Sequence, residues 1–115
     1  MSQYLVLIYD DEAAWSAADE SVTGQIHSGH TVFAEKNGAA LAGGNALQPT
    51  TTATSVRPDG DGGFQITDGP FVETKEALGG YYLIEAADLD EAIDIAKQIP
   101  VVAGGLEVRP ILTFE

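Results

Sequence analysis

The sequence predicts one α+β domain with the ferredoxin-like element order β-α-β-β-α-β. Three observations predict it: an unbroken apolar run near the start, two stretches of helical periodicity, and a hairpin signal between those two stretches. The chain has 115 residues, which suits a single domain covering residues 1–115. Its apolar fraction of 44% is ordinary for a globular protein.

The first strand is the run Tyr4 to Tyr9, whose continuous apolar character is typical of a strand buried on both faces. A helix is predicted from about Asp19 to Asn37, followed by Gly38 as a C-terminal stop. Residues 13–18 form either a separate helical turn or a loop. The helix from about residue 19 to 37 is predicted from one stripe of residues that recur at spacings of three and four, namely Val22, Ile26, Gly29, His30 and Phe33.

The middle of the chain has β character with many glycines. Residues 40–48 form a weak strand, in which Gly43 and Gly44 indicate a bulge or a close backbone approach. The threonine-rich segment 50–58 and the segment 64–67 flank the turn sequence DGDGG, which predicts a hairpin. Residues 68–80, which begin with the turn Asp68-Gly69-Pro70, are predicted to be a loop.

The last third completes the pattern. Residues 81–85 (YYLIE) predict a strand, and Asp88 with Glu91 three residues later predicts the capped start of a second helix. Pro100 ends that helix. The last strand is predicted over residues 106–114, where Pro110 favours an edge position or a bulge.

This order places both helices on one face of an antiparallel sheet. The other face would carry half of the first strand, half of residues 81–85, and Phe64 or its neighbours. An apolar sheet face needs cover, and a second copy packed face to face supplies it symmetrically. We therefore predict a homodimer.

Charge and cysteine content exclude several classes of protein. The net charge is −13, and the five cations do not cluster, so neither nucleic acid nor an anionic membrane surface is an expected partner. There is no cysteine, which excludes disulfides and thiolate chemistry. The first residues do not resemble a signal peptide, and no apolar run is long enough to span a bilayer, so we expect a cytoplasmic protein.

His30 and Asp68 are the candidate catalytic residues. His30 lies on the apolar stripe of the first helix, and its ring titrates near neutral pH, as a general acid or base requires. Asp68 opens a turn directly after a strand and would orient His30 as a carboxylate partner. The structural alternatives are a half-buried histidine bonded to a backbone carbonyl and an aspartate that caps its own turn.

Three further residues, Tyr81, Arg109 and Lys75, are candidates for substrate binding. Tyr81 and Tyr82 point to opposite faces, so one phenol reaches the helix side, where it would donate to a substrate oxygen or simply pack in the core. Arg109 would bind a carboxylate or pair with a surface acid. Lys75 lies in the charged segment after the turn, which would gate a ligand or remain solvated.

No cofactor is predicted, because phosphate-binding and dinucleotide-binding motifs are absent from the sequence. A metal on His27 and His30, which are three residues apart, would need a third ligand from Asp68 or Glu73. We favour a site without metal.

Five blocks of sequence carry a resemblance that covers nearly the whole chain. In order they are YLVLIYDDEAAW, ALAGGNALQP, TDGPFVETKEALGGYYLIEA, LDEAIDIAKQIP and LEVRPI. On these the chain resembles the YCII-related, DGPF-domain proteins. The resemblance implies a dimeric α+β barrel but no settled function. Enzymatic chemistry is suspected in that group from a His–Asp pair in a cleft, and some members lie beside genes for extracytoplasmic-function sigma factors.

Three functions stay open at this point. The first is an enzyme that acts on a small molecule through His30 and Asp68, with Arg109 or a tyrosine holding an anionic substrate. The second is a non-catalytic ligand-binding or regulatory dimer, with a link to sigma-factor-associated transcription control. The third is an interaction module whose apolar sheet face binds a different chain.

Overall fold

A computed structural model describes residues 1–114. In this part of the chain it contains a four-stranded sheet, a separate hairpin and three helices. The strands are β1 (Ser2–Asp11), β2 (Leu41–Ala46), β3 (Thr54–Pro58), β4 (Phe64–Asp68), β5 (Glu76–Ala86) and β6 (Gly105–Pro110). The helices are α1 (Glu12–Ala17), α2 (Glu20–Lys36) and α3 (Leu89–Ala96), and a short 3-10 turn spans Thr50–Thr52.

The sheet has the order β2-β5-β1-β6, and every neighbouring pair is antiparallel. When the β3–β4 hairpin is set aside, this is the fourth-first-third-second order of a ferredoxin-like fold. The predicted fold class is therefore confirmed. The hairpin is an insertion between β2 and β5, and its strands pair with each other.

Each helix begins at an aspartate whose carboxylate accepts backbone N–H groups that the first turn leaves unpaired. Asp11 accepts from Ala13 and Ala14, Asp19 from Val22, and Asp88 from Glu91. Such caps contribute about 1 kcal/mol each. The predicted starts at Asp19 and Asp88 are confirmed, and residues 12–17 form a separate short helix.

The core lies between the sheet and the helices. Phe33 from α2 packs there with Val6 from β1 and Ile84 from β5, all three fully buried. Burial of a side chain of this size is worth about 1.5–3 kcal/mol. Aliphatic residues of α3 and the segment after it complete the cluster, namely Ala92, Ile95, Ala96 and Ile99. The inner face of the sheet is therefore the one that carries the even-numbered residues of β1.

The outer face carries the odd-numbered residues of β1. Leu5 and Leu7 lie opposite Leu83 and Tyr81 of β5, and all four are half-buried in the single chain. The chain is only 17 Å thick along its shortest axis, which corresponds to one sheet and one helix layer. The apolar outer face agrees with the homodimer hypothesis, which stays a prediction.

The hairpin departs from expectation. Phe64 was expected on the outer face of the main sheet, and this is wrong because β3 and β4 form a sheet of their own. We call the β3–β4 hairpin, residues 54–68, the arm. Three apolar residues share one face of the arm and are more than half exposed, namely Val56, Phe64 and Ile66. The radius of gyration is 16.3 Å, against about 13 Å for a compact domain of this length. The projecting arm accounts for part of that excess.

Several element boundaries also differ from those predicted, and the predicted strand 50–58 begins only at Thr54, because residues 50–52 form a 3-10 turn. Residues 76–80 belong to β5 and not to a loop. The sequence pattern did not reveal this, because a register shift next to Gly79 interrupts the alternation by which a strand is recognised. The last strand ends at Pro110 and α3 ends at Ala96, both earlier than expected.

Among the helices within residues 1–114, none combines the length and the apolar character needed to cross a bilayer.

Candidate functional site

The first component of the site is a pair of rings between α2 and the sheet. His30 follows Ile26 by one helical turn and is half-buried. Its Nδ1 atom lies 2.8 Å from the hydroxyl oxygen of Tyr82 on the inner face of β5. The Tyr82 ring also packs on Phe33, with ring centroids 4.9 Å apart. Phe33 thus holds the phenol in place from the side of the helix.

Gly44 of β2 gives the Tyr82 ring its room. A Cβ atom at this position would lie 2.7 Å from Cδ1 of Tyr82 and 2.8 Å from the backbone oxygen of Tyr81. Neither distance is tolerable for a real side chain. A bulge or a close backbone approach was predicted for Gly43-Gly44, and both are found: Gly44 lies close to the backbone of β5, and the register of β2 shifts between Leu41 and Gly43.

Burial affects the two rings in opposite directions. It lowers the pKa of His30, and the nearby His27 lowers it further, because a second positive charge would be repelled. Burial raises the pKa of the Tyr82 phenol. Both shifts favour the uncharged forms, so near neutral pH the pair is a neutral imidazole bonded to a neutral phenol.

A buried carboxylate is the second component. Asp10 is only 7% exposed. It accepts hydrogen bonds from the indole Nε1 of Trp15 at 2.9 Å and from the backbone N–H groups of Val102 and Ala103 at 2.8 Å each. A fourth bond comes from the N–H of Asp11.

Asp10 is held in its ionised form. Burial alone would raise the pKa of its carboxyl group, but the four hydrogen bonds outweigh burial and lower the pKa overall. The Trp15 ring in turn lies 6.0 Å from the ring of His27, one helical turn before His30. Asp10 therefore fixes the indole that borders the histidine side of α2.

The third component is an open cleft of about 350 Å³ at the root of the arm. Its walls are the 3-10 turn, the segment 69–74 and Ala77 of β5. Gly69 adopts a φ of 109°, a conformation that side chains other than glycine rarely adopt. Its N–H donates to the Ala53 carbonyl, and its carbonyl accepts from the Ser55 hydroxyl, both at 2.8 Å. These bonds close the base of the arm.

Glu12 ties the arm to α1. Its carboxylate accepts the backbone N–H of Thr50 at 2.8 Å and also the Thr50 hydroxyl. These two bonds from Thr50 lower the pKa of Glu12. The root of the arm is therefore fixed on both sides.

The two candidate catalytic residues do not meet in the single chain. Asp68 lies exposed at the end of β4, opposite Thr54. His30 is bonded to Tyr82, and the hydrogen bonds of the described residues include none between Asp68 and His30. The catalytic roles of His30 and Asp68 stay predictions.

The candidate binding residues lie elsewhere. Tyr81 faces the outer side of the sheet, where its hydroxyl accepts from the Asn45 amide at 2.9 Å. Arg109 lies opposite Leu5 on that same outer face and pairs with Glu107. Lys75 is exposed in the loop just beyond the cleft. Tyr81 and Arg109 are thus on the opposite side of the sheet from His30.

Sequence reasoning left two residues of the site unassigned. Asp10 lay outside the predicted first strand, which ended at Tyr9, although counting in twos from Val6 through Ile8 places Asp10 on the inner face. Tyr82 shares its face with Ile84 by the same rule, which would have selected it over Tyr81 as the partner on the helix side.

The described residues contain no cluster of three histidine or acidic side chains placed to hold a metal ion. The hydrogen-bonded pair of His30 and Tyr82 is suited to proton transfer.

Comparisons with known proteins identify the family of this chain. The model of the YCII-related domain matches residues 2–115. An uncharacterized protein of Rhizobium meliloti (strain 1021) is 39% identical over 119 residues, an alignment that covers 97% of this chain and 94% of that relative. With a family match over nearly its full length and a relative this similar, the chain belongs to the YCII-related domain family.

Proposed function

We propose that the protein is a homodimeric enzyme that transfers protons on a small molecule, with His30 as the general acid or base. The observation that carries the proposal is the 2.8 Å hydrogen bond between His30 Nδ1 and the Tyr82 hydroxyl in a half-buried setting. An uncharged imidazole held by a second ring is the form that a general base requires.

Tyr82 acts as the positioning residue. Its hydroxyl occupies Nδ1, so proton transfer to a substrate falls to Nε2. The neutral imidazole carries one ring proton. With that proton on Nδ1 and donated to the Tyr82 oxygen, Nε2 keeps a free lone pair, and the lowered pKa of His30 leaves this lone pair unprotonated at neutral pH. In this role Tyr82 replaces Asp68, which was the carboxylate first expected to orient the histidine.

Assembly is the second part of the proposal. The outer face pairs Leu5 and Leu7 with Leu83 and Tyr81, and burial of such a face in a symmetric interface would stabilise a dimer. The cytoplasmic location stays a prediction from the sequence.

The assembly is tested by size-exclusion chromatography with light scattering at about micromolar protein concentration. At this concentration a dimer with a dissociation constant below about 1 μM is mostly assembled. We expect the wild-type chain to elute as a dimer and Leu7→Glu to elute as a monomer. Val32→Glu is the control, since Val32 lies on α2 and is already 60% exposed. A monomeric wild-type chain would refute the dimer and favour a different partner chain on this face.

The chemistry is tested with a metabolite library. Compounds that raise the melting temperature of the wild-type protein are selected, because ligands that bind only the folded state stabilise it. Each is then followed for turnover by NMR with wild-type protein, His30→Gln and Gln25→Ala, a change at an exposed position of α2. We expect His30→Gln to lose about 10²–10⁴-fold in rate, while Gln25→Ala stays close to wild type.

Two outcomes would contradict the enzymatic role. One is turnover by His30→Gln at the wild-type rate. The other is a set of compounds that bind the wild-type protein without being converted, which would instead support a non-catalytic ligand-binding dimer.

A further inference from the structure

The cleft at the root of the arm has walls that present hydrogen-bond acceptors. Thr50 and Thr74 both lie in its lining. The Thr50 hydroxyl donates its proton to the Glu12 carboxylate, and the Thr74 hydroxyl donates its proton to the backbone oxygen of Glu76. A hydroxyl group has one proton, so each of these oxygens can offer only lone pairs to a ligand.

The charge of the residues that line the cleft also favours a hydrogen-bond donor that is positively charged. Glu73 is its one ionisable residue, and the lining holds no lysine, arginine or histidine. The whole chain carries a net charge of −13, which adds an attractive field for cations. An anion would find no positive charge in the lining, where Thr51 alone among the three threonines has a hydroxyl proton not donated to another of the described residues.

Apolar surface lies beside these acceptors. Pro70 and Val72 form part of the same lining, and the buried Ala77 contributes a small side chain from β5. The volume of about 350 Å³ is at the lower end of the range for small-molecule sites. The cleft therefore suits a compact ligand that has both a donor-rich cationic end and a short hydrocarbon part.

We propose that this cleft binds a small organic ammonium ion. The ammonium group donates its three protons to the Glu73 carboxylate and to the oxygens of Thr50 and Thr74, while the carbon chain packs on Pro70 and Val72. His30 does not line the cleft, so this proposal is independent of the proton-transfer role proposed above.

The test is an NMR titration of the full chain labelled with ¹⁵N. The probe is n-butylammonium chloride, and the two comparison compounds are sodium butyrate and n-butanol, which have the same carbon chain with a negative charge or none. We expect butylammonium to shift the amide signals of residues 50–51 and 69–74 in a saturable manner. Butyrate is expected to shift none of them.

Glu73→Gln tests the charge contribution, with Glu35→Gln on α2 as the control that makes the same change in net charge. Glu73 is exposed, so its replacement leaves the core intact, and the same spectra report whether the variant is folded. We expect the dissociation constant for butylammonium to rise about fivefold in Glu73→Gln, and to stay within about twofold of wild type in Glu35→Gln.

Three results would overturn the proposal. The first is the absence of saturable shifts around the cleft with butylammonium. The second is butyrate or butanol binding as tightly as butylammonium. The third is an equal loss of affinity in Glu73→Gln and Glu35→Gln, which would show a general field effect rather than a site.

Discussion

Gly44 and the aromatic ring of Tyr82 lie in direct contact, since any β-carbon on Gly44 would fall 2.7 Å from Cδ1 of that ring. The contact couples an edge strand of the sheet to the hydrogen bond that Tyr82 makes with His30. We therefore expect a change at Gly44 to affect His30 on α2.

Gly44→Ala should consequently destabilise the fold by about 1–3 kcal/mol, the usual cost of an added group in a packed region. Urea unfolding measures this change. Gly43→Ala is the matched control, because a Cβ there would meet only Leu83 Cβ at 4.0 Å, an ordinary contact. Equal losses in the two variants would show that the Tyr82 ring moves aside without cost.

Tyr82→Phe removes the hydroxyl group and keeps the ring on Phe33. We expect a loss of about 1 kcal/mol in the free energy of unfolding, as for a typical hydrogen bond. The ¹⁵N shifts of the His30 ring should also change, because Nδ1 loses its partner. Tyr81→Phe, on the outer face, should leave those ring shifts unchanged, and an equal response in both variants would argue against the assigned contact.

The lowered pKa of His30 makes stability depend on pH. The pKa of His30 in the folded state lies below the unfolded value of about 6.5. Between these two pKa values the unfolded chain therefore binds more protons than the folded chain. This contribution to stability is present above the unfolded value and is lost as the pH falls below it.

Replacement by glutamine isolates that contribution. Between about pH 7.5 and pH 5.5, which bracket the histidine range, wild-type protein should lose more free energy of unfolding than His30→Gln. Parallel losses in the two proteins would show that His30 titrates normally in the folded state.

Asp10→Asn should lower the free energy of unfolding by about 1.5–3 kcal/mol. The hydrogen bonds to a charged carboxylate become weaker bonds to an amide oxygen, and the new amide N–H group faces the N–H donors that Asp10 accepts. The folded-state pKa of Asp10 is lowered, so its contribution is present above its unfolded value and disappears as acid protonates it. Chemical unfolding should show that the difference in free energy of unfolding between wild type and variant is smaller in acid than at neutral pH. A difference of constant size would contradict this assignment.

Glu12→Gln should loosen the root of the arm, since it weakens two bonds from Thr50. Hydrogen exchange of the amides in residues 50–58 should become faster, while the rest of the sheet keeps its protection. Glu20→Gln at the exposed start of α2 is the control, and faster exchange of the arm in both variants would point to net charge as the cause.

The sequence was sufficient to predict the fold class because its signals are local. Asp19 and Asp88 mark helix starts, and the DGDGG turn marks the hairpin, whatever the rest of the chain does. The placement of the hairpin outside the main sheet depends on which strands pair, which the alternation of Phe64 and Ile66 does not encode.

The candidate site was predictable only in part for the same reason. The helical stripe identified His30 as facing the sheet, which its half-buried position confirms. Its hydrogen-bond partner, Tyr82, is 52 residues away and lies on a strand whose start was hidden by a bulge. Asp10 gains its importance from Val102 and Ala103, more than 90 residues later.

The irregularity in β5 has one more effect. Ile8 pairs with Gly80 but Tyr9 pairs with Leu78, so Gly79 is the extra residue that β1 does not match. That single unmatched glycine decides that alanine, and not leucine, sits beneath the cleft and opposite Asp10. In regular register, without this bulge, Gly79 would pair with Tyr9 and Leu78 with Asp10, so the larger leucine side chain would fill the cleft floor.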